Sequence, residues 1–138
     1  MLPPSHPLLD APAPARVWAY LQERFPPAPY TVLVVLFFGS ASAVARGLAG
    51  SGATAWAGAA VVLLVFFHLR VFDEHKDALA DAEAYPDRLL TQGVVTLPLL
   101  ASLAAGAIFI EAALSFWIGL PALVAWGATF AFTLANPT

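Results

Sequence analysis

FFHLRVFDEHKDALADAEAYPDRLLTQGVVTL, residues 66–97, is the one densely charged part of an otherwise apolar chain. Six of the nine acidic residues fall within residues 73–87. The stretch before it, ATAWAGAAVVLLVFFHL, is uncharged, and after residue 88 the only charged residue is Glu111. An apolar run that turns abruptly acidic is what a helix shows when it leaves a bilayer and continues into water. On such a helix Asp73, Asp77 and Asp81 stand at i, i+4 and i+8. Arg70, Glu74, Asp77 and Asp81 follow a 3–4 spacing, so one face collects them.

The rest of the chain agrees with a membrane setting. It has 138 residues, 60% of them hydrophobic and 11% charged, with a mean hydropathy of +0.78. Soluble chains are about 25% charged. Six Lys/Arg and a net charge of −3 leave no basic surface for a phosphate backbone, which excludes nucleic-acid binding. The absence of cysteine excludes disulfides, thiolate metal sites and Cys nucleophiles.

Working outward, charges bound four apolar stretches near the length of about 20 residues that a spanning helix needs. They cover residues 30–46, 53–72, 89–110 and 112–135. The fold class expected is an all-α integral membrane bundle of about four transmembrane helices, forming a domain over residues 30–138. No alternation typical of a membrane β-barrel occurs. Pro98 sits harmlessly near the start of the third stretch, and Pro121 is expected to kink the fourth. Ala43 with Gly47 and Ala101 with Ala105 have the small-residue spacing of close helix contacts, in a chain where alanine is abundant. Residues 1–29 form a proline-rich flexible lead and then ARVWAYLQERF, read either as an interfacial helix or as a solvated arm. The lead lacks the basic start and apolar core of a signal peptide. Arg16 and Arg24 precede the first span, and Arg70, Lys76 and Arg88 lie between the second and third. By the positive-inside rule this predicts a multi-pass protein of the cell inner membrane with both termini cytoplasmic.

Like charges one turn apart destabilise a helix by a few tenths of a kcal/mol per pair, so an acidic row calls for a compensating cation. Mg²⁺ prefers carboxylate oxygens, takes one or two of them and fills its remaining positions with water and substrate phosphates. A Mg²⁺–diphosphate suits the row, with Arg70, Lys76 and Arg88 supplying positive charge. The plainer reading is a solvated loop of mixed charge.

Asp73-Glu74-x-x-Asp77-x-x-x-Asp81, followed by Arg88-Leu89-Leu90-x-x-Gly93, resembles the first Asp-rich motif and connector of the UbiA superfamily of intramembrane prenyltransferases. Asp73 stands at that motif's Asn position, Glu74 at its first Asp, and Leu89 where Pro is usual. The likeness covers about residue 30 to the C-terminus. It implies transfer of an isoprenyl group from a prenyl diphosphate to a lipophilic, aromatic acceptor. By the same resemblance Glu74, Asp77 and Asp81 are Mg²⁺ ligands, and Arg70, Asp73, Lys76 and Arg88 contact the diphosphate. The family carries more spans and a second Asp-rich motif. This chain is therefore expected to correspond to the N-terminal half of such an enzyme, as a fragment, a split gene product that pairs with a C-terminal half bearing the second row, or a degenerate relative, and to be inactive alone.

Other residues carry less. His68 is expected to be packed or interfacial, His75 solvated, His6 in the lead, and Glu111 at the outer interface. Trp117 suits an aromatic belt and Trp126 the bundle interior or the lipid face. A CDP-alcohol phosphotransferase is disfavoured, since its Asp-Gly and Ala-Arg elements are missing. A transporter is disfavoured because no ionisable residue is expected at mid-membrane. The main alternative is a non-catalytic four-helix membrane protein whose acidic loop binds cations or a partner.

Overall fold

The computed structural model describes residues 6–46 and 53–136. Over those residues it is all helical, with five α-helices and no strand. They are α1 (Ala13–Arg24), α2 (Pro27–Arg46), α3 (Ala53–Ala84), α4 (Leu97–Ile118) and α5 (Leu120–Ala135). Two of them are long and apolar enough to cross a membrane, Thr54–Ala84 and Leu97–Ile118. A third crossing is present if α1 and α2 count as one bent span.

Local chemistry sets each boundary. The lead carries a 3₁₀ turn over Pro7–Asp10, capped by His6, whose Nδ1 accepts from the Leu8 N–H at 3.1 Å. α1 stops at Phe25 because Pro26 and Pro27 have no N–H to continue it. Pro27 instead opens α2, and the two helices meet at a 59° bend. α3 runs 32 residues, about 48 Å at 1.5 Å each, so the acidic row is helical through Ala84. Thr96 caps α4 by accepting from the Leu99 N–H, with Pro98 in the first turn.

Several expected boundaries move. The third helix starts at Leu97, not at residue 89, because residues 85–96 form a connector of turns. Val94 and Val95 of that connector are fully buried, so their apolarity serves a packed loop. The helix break expected at Glu111 lies at Gly119, whose φ of +141° is open to glycine and strained for other residues. Pro121 falls in the first turn of α5 and starts that helix where a kink was expected. Gly47, half of the Ala43–Gly47 pair, lies outside the described residues.

α3 packs on α4 and α2, and α4 packs on α5. Tyr30 meets Phe66, and Phe38 meets Gly58, which makes α2 and α3 antiparallel. The buried core lies at the charged end of the bundle, where Tyr20, Val71, Leu89, Val94, Val95, Leu100 and Ala104 join α1, α3, the connector and α4. Elsewhere large apolar side chains such as Trp56, Phe109 and Phe116 point outward.

A Cβ at Gly58 would lie 2.5 Å from Phe38 Cζ, whereas one at Gly106 would meet nothing within 4 Å. Gly58→Val is therefore expected to destabilise the α2–α3 contact by about 1–3 kcal/mol, the usual cost of overpacking. Thermal unfolding in detergent should show the loss. Gly106→Ala should leave the midpoint near wild type, and Phe38→Ala should rescue Gly58→Val.

Candidate functional site

Glu74 is 2% exposed, although it belongs to the stretch expected to face water. A carboxylate so placed needs cations against it. Arg24, the last residue of α1, donates from Nε to Glu74 Oε1 at 2.6 Å. Arg70, one turn before Glu74 on α3, donates to the same oxygen at 3.2 Å. Two turns beyond Glu74, Asp81 Oδ2 accepts from Arg88 of the connector and lies 3.6 Å from Arg24 Nη2. Arg24 and Arg70 thus share Glu74 Oε1, and Arg24 and Arg88 share Asp81 Oδ2. Arg88 is itself steadied by the Tyr85 ring, 3.7 Å from its guanidinium.

The bend at Pro26–Pro27 brings α1 back across this site. Glu23 accepts from the Leu89 N–H at 3.3 Å, and Arg16 donates to the Val94 carbonyl at 3.4 Å. Between them Tyr20 is fully buried, and its hydroxyl has no hydrogen-bond partner. Burial first, then the charge of Glu74, pushes its pKa well above the usual phenol range. Burial works against the Arg24 charge, yet the Glu74 hydrogen bond and the charges of Glu74 and Asp81 outweigh it and raise its pKa.

Glu74, Asp81 and Arg88 line a cavity of about 410 Å³ with Thr91 and Thr96. Of the residues expected at a site, Arg70, Glu74, Asp81 and Arg88 converge. Asp73, Lys76 and Asp77 are exposed and outside the network. Asp73 and Lys76 instead line a second cavity, of about 430 Å³, against Thr133 and Asn136 at the end of α5. The face expected to carry Asp73, Asp77 and Asp81 is in fact that of Arg70, Glu74 and Asp81. Residues seven apart nearly eclipse on a helix, while Asp77 sits about 60° round from Glu74. Among the described residues no three potential metal ligands meet at one point. His75 is exposed, with Nδ1 2.9 Å from the Val71 carbonyl.

Arg24, Glu23 and Tyr20 are the members that sequence reasoning missed. Their signal was the 3–4 spacing of Arg16, Tyr20 and Glu23 within an aromatic stretch, read there as a surface helix.

A second polar centre corrects the expectation for Glu111. It lies inside α4, fully buried, fourteen residues or about 21 Å from the helix start. His68 Nδ1 of α3 is 2.7 Å from its Oε1, and Trp126 Nε1 of α5 donates to its Oε2 at 2.9 Å. His68 is packed, as expected, between Phe72 and Phe130, with a buried Nε2 that has no partner. Ionisable residues therefore do occur within apolar helices, and the argument against a transporter loses its premise.

Removing His68 would leave the Glu111 carboxylate with only the indole N–H. His68→Leu is expected to cost about 3–5 kcal/mol, as for other half-broken buried pairs. The double variant His68→Leu/Glu111→Leu should recover part of that loss in detergent unfolding. Strict additivity of the two single changes would show that the pair does not interact.

Comparison of the chain with family models, with curated proteins and with solved structures gives no match. The resemblance to the UbiA superfamily therefore rests on residues 73–93 and their place at the end of an apolar helix.

Proposed function

We propose that this chain binds a prenyl diphosphate with Mg²⁺ and forms one half of an intramembrane prenyltransferase of the UbiA type. The observation that carries the reading is the pairing of Glu74 and Asp81 with three arginines where an apolar helix turns polar, beside a cavity that Glu74, Asp81 and Arg88 line. The donor set suits the metal, since Mg²⁺ needs one or two protein carboxylates and hard oxygen donors. Glu74 and Asp81, which line the cavity, would hold it, and Asp77 on the neighbouring face would join them only by turning its side chain toward Asp81. When bound, Mg²⁺ offsets charge developing on the leaving diphosphate.

The chain's own residues do the rest. Arg70 and Arg88 donate to phosphate oxygens in the bidentate manner of guanidinium groups. Apolar side chains of α3 and α4 keep the prenyl tail dry. The C–O bond to diphosphate breaks, an aromatic carbon of the acceptor bonds to the allylic carbon, and the ring releases a proton. A partner supplies a second carboxylate row, because one row leaves much of the leaving-group charge without a fixed counterpart. Each missing contact of that kind costs about 10²–10³ in rate. The bundle crosses the inner membrane four times with both termini cytoplasmic. The gathering of Arg16, Arg24, Arg70 and Arg88 at one end of the bundle supports that orientation.

A second reading draws on the same arginines. Glu74 and Asp81 are already paired, as in a clasp that holds α1 and the connector to α3 without any ligand. Binding separates the two. In the first reading, farnesyl thiolodiphosphate binds the purified chain in Mg²⁺ and not in EDTA. Asp77→Asn and Asp81→Asn each weaken it about tenfold, the worth of one charged contact. Equal binding with and without metal, or in both variants, would favour the clasp. The chain alone should show no prenyl transfer, and robust turnover without a partner would overturn the half-site reading.

Topology is tested separately. Reporter fusions after Asp87 should report the cytoplasm and fusions after Gly119 the outer side. The reverse pattern would sink the orientation.

A further inference from the structure

Arg24 is the one side chain among the described residues that touches both carboxylates of the site. Its Nε lies 2.6 Å from Glu74 Oε1, and its Nη2 lies 3.6 Å from Asp81 Oδ2. A cation bridging two carboxylates two turns apart stands where a divalent ion in this site would stand. Arg70 and Arg88 each hold only one of the two. Arg24 also comes from a different segment, the end of α1 just before the proline bend.

We infer that Arg24 is an exchangeable cation of the diphosphate site, bridging Glu74 and Asp81 in the metal-free protein and moving to the diphosphate oxygens when Mg²⁺ takes the carboxylates. The inference rests on the diphosphate reading above and adds to it a binding residue from α1. Its chemistry balances by charge. Mg²⁺ brings two positive charges to the carboxylates, and the released guanidinium meets the anion that arrives with the metal. Guanidinium groups bind phosphate bidentately, so the exchange trades one charge-assisted contact for another.

Glu74 does not lose its support in the exchange. Arg70 stays on its Oε1. Tyr20, one turn before Arg24, holds a fully buried hydroxyl beside the Glu74 carboxylate and feels its charge. Departure of Arg24 leaves Arg70 and that hydroxyl as the donors nearest the Glu74 carboxylate. α1 need not undock, because Glu23 on the Leu89 N–H and Arg16 on the Val94 carbonyl hold it independently.

A purely structural Arg24 and an exchangeable one differ in sign. The full chain in detergent is titrated by calorimetry with Mg²⁺ alone, then with farnesyl thiolodiphosphate at saturating Mg²⁺. Arg24→Gln should bind Mg²⁺ alone more tightly than wild type, because a competitor is gone. It should bind the thiolodiphosphate about tenfold more weakly, because a phosphate contact is gone. Loss of both affinities, or of neither, overturns the exchange. Wild type without Mg²⁺-dependent binding overturns the diphosphate reading itself and this inference with it. Arg24→Lys keeps the charge and decides the matter if Arg24→Gln loses its helical circular dichroism. The lysine variant should lose thiolodiphosphate affinity and keep Mg²⁺ affinity, and unchanged thiolodiphosphate binding would overturn the role.

Discussion

Glu74 is a carboxylate almost wholly withdrawn from solvent, and its neutralisation organises one end of the molecule. A charge removed from water is tolerable only with cations in direct contact. One of these, Arg70, is local to α3. The other, Arg24, arrives from a separate helix and reaches Glu74 only because the chain turns by 59° at Pro26–Pro27. Once α1 is laid across α3, Tyr20 is driven into the core and Glu23 and Arg16 face the connector. The connector then has partners for its backbone and a dry surface for Val94 and Val95. Loss of the pair would leave α1 held by Glu23 on the Leu89 N–H and Arg16 on the Val94 carbonyl, with the Glu74 charge resting on Arg70.

Glu111 applies the same constraint deeper in the bundle. Lipid tails are as apolar as leucine, so apolar contact alone gives helices little reason to choose one neighbour over another. The hydrogen bonds from His68 of α3 and Trp126 of α5 to one carboxylate of α4 specify that choice. Two acidic residues, one at the charged end and one within the apolar span, thus fix which helices are adjacent. The apolar side chains supply contact area without that selectivity.

The helical class was legible from composition, and the extension of α3 past its apolar half was legible from the 3–4 spacing of residues 70–81. Arg70, Glu74 and Asp81 were legible on one helix face for the same reason, with Asp77 grouped beside them, while Arg88 was legible only through the connector that follows. Helix ends were less so. The uncharged stretch at 89–96 reads the same at the start of a span or in a packed turn, and only tertiary contact with Tyr20 decides between them. Glu111 misled because a lone acid in an apolar run marks a boundary when it meets water and a centre when it meets partners. Those partners lie 43 residues before it and 15 after it. Arg24 was hidden by the same kind of separation, 50 residues from Glu74.

The shortness of α5 has its own consequence. Its 16 residues span about 24 Å, against about 33 Å for the 22 residues of α4 beside it. In a bilayer with a hydrocarbon core of about 30 Å the two flanks of the molecule present unequal apolar heights. In the four-span arrangement proposed above, lipid against α5 would have to thin, at a cost of a fraction of a kcal/mol per Å, while lipid against α4 would not. A bundle so placed would have a sidedness within the membrane plane. Its α5 flank is the cheaper one to cover with another protein surface, and thinner membranes are the ones in which it sits with least deformation.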